Sequence, residues 1–188
     1  MKKASIIVIT YNEEKNIEQC IQSLLTQTYP SYEILIIDAS TDKTAELAKN
    51  YPIKVIKSKR KGFAIQRNLG IKLATGDYIA FTDADCITPK DWLHNSITFL
   101  EKNNATGTGG NAYPPLDSPQ IGKAIASLGY PAGGAIGLNP NDPLSTCNAV
   151  FTKEALESVS GFNEHLTYGG EDTDLCNRLQ KKEYTILL

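Results

Sequence analysis

Four short apolar runs, SIIVIT (5–10), YEILIID (32–38), IKVIKS (53–58) and DYIAFTD (77–83), recur through the first 83 residues, with segments of helical period between them. Strands that are apolar on both faces must be covered on both faces. The intervening helices supply that cover, so the pattern calls for βαβ units around a parallel sheet. In the first helical segment Ile17, Cys20, Ile21, Leu24 and Leu25 form one apolar face. Asn12 is placed to cap before Glu13 and Glu14, and Thr41 or Asp42 before KTAELAKN. Further along, KDWLHNSITFLEKN reads as a helix, STCNAVFTKEALESVSGF as a strand and short helix, and EDTDLCNRLQKK as a final helix. The fold class is α/β, a mostly parallel sheet flanked by helices.

At 188 residues the chain is expected to form one domain. Between Gly107 and Pro143 eight of the fourteen glycines and six of the nine prolines are concentrated, which predicts a loop-rich, mobile stretch. Within it PAGGAIG reads either as a helix start or as a lid. EYTILL reads as a strand just beginning, so the native chain is expected to continue past residue 188. A net charge of −2 gives no footprint for a polynucleotide, although local Lys and Arg suit a small anion. Cys20, Cys86, Cys147 and Cys176 contain no C-x-x-C pair, which fits reduced thiols and a cytoplasmic location, with the inner face of the membrane as an alternative. No run is long enough for a signal core or a membrane span, and His94 and His165 lack metal-ligand spacing.

The chemistry concentrates in GDYIAFTDADCITP. Here a strand ends in Asp83 and Asp85, one residue apart, which in extended backbone crowds two like charges within about 7 Å. Ligands of open α/β sheets bind outside the carboxyl ends of the strands. Four polar clusters fall there: Thr10 to Glu13, Asp38, the basic KSKRKG, and Asp83 with Asp85. Singly, each has an ordinary explanation, as a helix cap, a turn residue, a solvated run and a surface turn. Together they define one edge of one sheet. The paired acids offer hard oxygen donors to Mg²⁺ or Mn²⁺, a cation that commonly completes its shell with water and substrate phosphates. A diphosphate leaving group suits that arrangement.

SIIVITYNEEKNIEQCIQSLLTQTYPSYEILIIDASTDKT, KGFAIQRNLGIKLATGDYIAFTDAD and GFNEHLTYGGEDTDLCNRL resemble, in order and spacing, the successive blocks of family 2 glycosyltransferases. The resemblance spans nearly the whole chain except its Gly/Pro-rich middle. It implies a Rossmann-like, A-type glycosyltransferase fold, a nucleotide-sugar donor, usually uridine diphosphate linked, and a divalent metal. It further implies a nucleotide-sugar-binding half over 1–105 and an acceptor-side half over 106–188. On the family pattern Thr10, Tyr11 and Glu13 edge the nucleotide, Asp38 reads the base, Arg67 helps hold the nucleotide, Asp83 lies near ribose and metal, and Asp85 ligates the metal. One departure is that DASTDKT is a residue shorter than the commoner Asp-Asp-Gly-Ser-Thr-Asp form, with Ala39 where a second acid often stands.

In the last block Glu171, Asp172 and Asp174 follow Gly169 and Gly170. Acids in a first helical turn suit the helix dipole, and Asp174 with Arg178 makes an i, i+4 pair. The family pattern implies instead that this segment supplies the base, with Asp172 in that role and Glu171 contacting acceptor. Thr146, Cys147 and Asn148 are placed to line the same region, although Cys147 reads rather as a small packed residue. The expected activity is inverting transfer of a sugar from a nucleoside-diphosphate sugar to a hydroxyl of a glycan or lipid-linked acceptor. A non-catalytic nucleotide-sugar or protein-binding module on the same fold stays open, as does a haloacid-dehalogenase-type phosphatase. The latter expects its Asp-x-Asp after the first core strand rather than the fourth.

Overall fold

A computed structural model describes residues 1–115, 118–128 and 143–188. Along the chain run β1 (Ala4–Thr10), α1 (Ile17–Leu25), β2 (Tyr32–Asp38), α2 (Thr44–Ala48), β3 (Lys54–Lys57), α3 (Phe63–Leu73) and β4 (Tyr78–Asp83). They are followed by α4 (Trp92–Asn103), β5 (Gly107–Gly109), α5 (Gln120–Ala126), β6 (Asn148–Thr152), α6 (Lys153–Ser158), α7 (Glu171–Lys181) and β7 (Ile186–Leu187). The sheet order is β3-β2-β1-β4-β6-β5-β7. Strands β1 to β4 are mutually parallel, β6 runs antiparallel between β4 and β5, and β7 is parallel to β5.

The unbroken apolar strands find cover on both faces. Ile6, Val8, Ile34, Ile36 and Ala80 pack with Ile17, Ile21 and Leu24 of α1 and with Leu93 and Ile97 of α4. Ile7, Leu35, Ile37, Ile79 and Phe81 face the other way, against Ala64 and Ile71 of α3, Leu156 of α6 and Leu175 of α7. The period of two therefore separates the acids at the strand ends: Asp38 continues the α1 face, whereas Asp83 continues the α3 face. The connections leave β1 toward β2 on one side while β4 lies on the other. That reversal opens the sheet's carboxyl edge between β1 and β4.

Two local expectations change. Asn12 does not cap α1, which starts only at Ile17 and has no side-chain cap. Asn12 instead turns left-handed at φ 61°. Its Oδ1 accepts from the Thr41 backbone N–H at 2.9 Å and its own N–H donates to Ser40 Oγ at 2.8 Å, so it ties the β1 loop to the β2 loop. Asp42 does serve the start of α2, accepting from the Thr44 N–H at 3.0 Å. In the Gly/Pro-rich stretch, β5 and α5 are ordered elements where composition predicts loop. For β5 the reason is close packing: a Cβ on Gly107 would stand 2.8 Å from Phe151 Cδ1, so glycine here admits a neighbouring strand rather than a turn. PAGGAIG (131–137) lies outside the described residues.

Candidate active site

At the carboxyl end of β1 and β2, register pairs Thr10 with Asp38. The Thr10 hydroxyl donates to Asp38 Oδ1 at 2.9 Å, the Ser40 N–H donates to the same oxygen at 3.2 Å, and Lys57 Nζ donates to Oδ2 at 2.9 Å. Burial alone would raise the Asp38 carboxyl, but these bonds from Ser40, Lys57 and Thr10 favour the anion more strongly and hold it below its ordinary value. Lys57, in a run that reads as solvated surface, thus neutralises a fully buried acid. Gln66, a residue with no signal of its own in the sequence, joins the strand ends to α3. Its Nε2 donates to the carbonyls of Thr10 (3.0 Å) and Ile37 (2.7 Å), and its Oε1 accepts from the Gly62 N–H at 3.2 Å.

Across the opening, Arg67 of α3 is 4% exposed and meets three carboxylates. Its Nη1 lies 2.7 Å from Glu171 Oε1 and 3.8 Å from Asp172 Oδ1, and its Nη2 lies 3.5 Å from Asp83 Oδ1. The first turn of α7 is thereby pinned to the last residue of β4. Part of the positive charge that the Asp83–Asp85 pair demands is therefore supplied by the chain itself. Asp172 also accepts from the Thr146 N–H and hydroxyl, both at 3.1 Å. Burial pushes the Asp172 carboxyl up against the opposing pull of Arg67. Asp83 moves up for the same reason, helped by the charges of Asp85 and Asp172 and opposed by Arg67. Asp174 pairs with Arg178 at 2.7 Å, the helix-surface role expected for it.

A cavity of about 550 Å³ occupies the switch point. Thr10 at the end of β1 lines it with Tyr11 and Glu13 of the loop that follows, Asp83 at the end of β4 with Asp85 just beyond, and Lys61 from the loop before α3. Glu164, Leu166 and Thr167 close it from the connection between α6 and α7. Asp38 and Arg67 stand behind this wall, and Glu171 and Asp172 are not on it. Among the described residues no group of three or more His, Cys, Asp or Glu side chains is disposed to enclose a metal. The donor chemistry present, two carboxylates at a cavity edge, fits a hard divalent cation that takes the rest of its shell from elsewhere.

A switch-point cavity edged by paired carboxylates, in a sheet of this order, belongs to the A-type glycosyltransferase fold. The mannosyltransferase PcManGT from Pyrobaculum calidifontis, solved with GDP-Man and Mn²⁺, matches 99% of this chain and 54% of its own, with a TM-score of 0.77 at 24% identity. S. aureus TarS 1-349 in complex with UDP-GlcNAc matches 94% of this chain and 53% of its own, with a TM-score of 0.72 at 23% identity. The chain belongs to glycosyl transferase family 2, whose model matches residues 5–159. A second model, described as the N-terminal domain of galactosyltransferase, matches residues 139–187. Among curated relatives, the glycosyltransferase AglE of Haloferax volcanii is 27% identical over 190 residues, 89% of this chain and 58% of its own. The uncharacterized glycosyltransferase YibD of Escherichia coli K12 is 44% identical over 89 residues, 44% of this chain and 26% of its own. The chain thus spans little more than half the length of AglE and less of YibD.

Proposed function

We propose that the protein is an inverting, metal-dependent glycosyltransferase that moves a sugar from a nucleoside-diphosphate sugar, uridine-linked, to an acceptor hydroxyl on a glycan or lipid-linked acceptor. The observation that carries this reading is the junction at the switch point. Arg67 draws the acids of α7 against Asp83, beside a cavity whose other edge is Thr10, Tyr11 and Glu13. Residues 1–105 then form the donor half and 106–188 the acceptor half, joined through one continuous sheet.

In this mechanism Thr10, Tyr11 and Glu13 bound the nucleoside. Asp38, with both carboxylate oxygens already bonded, shapes the base end through Thr10 and Lys57. Asp85 and Asp83 would hold Mg²⁺ or Mn²⁺, which when bound stabilises negative charge on a departing diphosphate. Asp172 takes the proton from the acceptor hydroxyl as that oxygen bonds to the anomeric carbon and the bond from that carbon to the diphosphate oxygen breaks. Its two contacts from Thr146 fix the carboxylate's orientation, and its raised affinity for a proton suits a base. Arg67 and Glu171 keep that carboxylate in register with Asp83, and Glu171 borders the acceptor. Among the described residues no helix is long and apolar enough to cross a membrane.

The test is a thermal-shift series with uridine and guanosine diphosphates, with Mn²⁺ and with chelator. Ligand at a hundredfold excess over Kd should add about 2.7 kcal/mol of stability, and only with the metal present. Asp85→Ala should remove that increment. Equal stabilisation in chelator, or in the Asp85→Ala variant, rejects the metal-bridged donor site.

A further inference from the structure

The basic run KSKRKG holds four cations, and the structure assigns three of them elsewhere. Lys57 pairs with Asp38 at 2.9 Å, Arg60 lies 3.6 Å from Glu164, and Lys59 borders a separate shallow hollow beside Ile65 and Leu69. Lys61 is different. Its Nζ stands 3.4 Å from the centroid of the Tyr11 ring, and it lines the main cavity. That wall also carries Glu13, Asp83, Asp85 and Glu164, and among the described residues Lys61 is its one cation. Arg67 is buried behind the wall, held by Glu171 and Asp83.

We infer that Lys61 is the cation that meets the anionic diphosphate of the donor, exchanging the face of Tyr11 for phosphate oxygens when the ligand enters. An ammonium over an exposed ring gains little, whereas a charge-assisted hydrogen bond to a phosphate is among the stronger ones. The exchange is therefore downhill once an anion arrives. The long, freely rotating stem of lysine lets the head group move without displacing the loop. Leaving the ring also uncovers one face of Tyr11, which is 41% exposed, so a single movement neutralises the ligand's charge and opens an aromatic surface to its base. The wall's acids cannot serve either purpose. Without Lys61 an anionic ligand would have only a bound cation and the buried Arg67, already shared among three carboxylates, to offset them.

The inference rests on the nucleoside-diphosphate reading, and its test separates the two. Calorimetric titration of the full chain with Mg²⁺ and uridine or guanosine diphosphate is compared with ligand-observed NMR titration by uridine and guanosine, for the parent, Lys61→Met and Lys61→Arg. Lys61→Met should weaken diphosphate binding about tenfold and lower its sensitivity to salt, leave nucleoside binding within about twofold, and be largely restored in Lys61→Arg. An unchanged diphosphate Kd in Lys61→Met overturns the inference while the donor-site reading stands. An equal loss for nucleoside and diphosphate also overturns it, since Lys61 would then act on the base. A parent that binds neither diphosphate overturns both.

Discussion

Removing Arg67 tests the junction on which the site depends. In Arg67→Met the stem's volume is kept but the guanidinium is lost from between Glu171, Asp83 and Asp172. The closest contact, 2.7 Å to Glu171 Oε1, joins side chains that are only 5% and 7% exposed. At an effective dielectric of about 20 the gross attraction at that distance is about 6 kcal/mol, much of it offset by desolvation of both ions. Deleting one partner forfeits the attraction and leaves the desolvated carboxylate behind, so the expected cost is about 3–5 kcal/mol. The effect carries a pH signature. Arg67 opposes the upward push of burial on Asp83 and Asp172, so without it both carboxyls rise further above their unfolded values. A raised carboxyl contributes stability below its unfolded value and loses it as pH climbs through the folded one. The deficit of the variant should be full at pH 7 and shrink toward pH 4. Urea unfolding followed by circular dichroism at the two pH values measures it, and Arg67→Met/Glu171→Gln should recover about 2 kcal/mol. A deficit below about 1 kcal/mol, one independent of pH, or strictly additive single variants would refute the reasoning.

Asp172→Asn should stay within about 1 kcal/mol of parent stability, because the amide oxygen can still accept from Thr146. Sugar transfer should fall about 10²–10⁴-fold, and parent-like transfer would leave Asp172 as a helix-start residue. In the parent, transfer should decline as pH drops through the elevated carboxyl of Asp172, seen as an acidic limb of kcat that this variant lacks. Asp38→Asn should cost about 2 kcal/mol, through loss of the charge-assisted bond from Lys57. Since the folded Asp38 carboxyl is held low, that difference should be full at pH 7 and shrink as pH falls from the ordinary aspartate range toward the lower folded value, checked by unfolding at pH 7 and 3. Gly70→Ala would put a Cβ 2.6 Å from Ile7 Cγ2, forcing α3 off β1 at a cost of about 1–3 kcal/mol. Adding Ile7→Ala, which removes that methyl, should lower the penalty, as unfolding midpoints of the single and double variants would reveal.

The alternation of doubly apolar runs with helical segments was enough to define a parallel α/β sheet, because a strand with no polar face has no other way to be covered on both sides. The same text located the polar residues at its carboxyl edge, since strand ends and the loops that follow them are adjacent in sequence. Thr10, Tyr11, Glu13, Asp83 and Asp85 do border one cavity. What depended on the order of strands was invisible until the chain was folded. Asn12 reads as a helix cap from its neighbours, yet it is used by Thr41 and Ser40 on another loop. Gly107 reads as loop, yet it marks where β5 lies against Phe151. Most of all, Arg67 and Glu171, 104 residues apart, form a buried contact. Local periodicity reports which face of an element is apolar, but not which distant side chain meets a charge once water is excluded. Only the tertiary structure decides that, because a buried charge takes whichever partner the packing brings within reach.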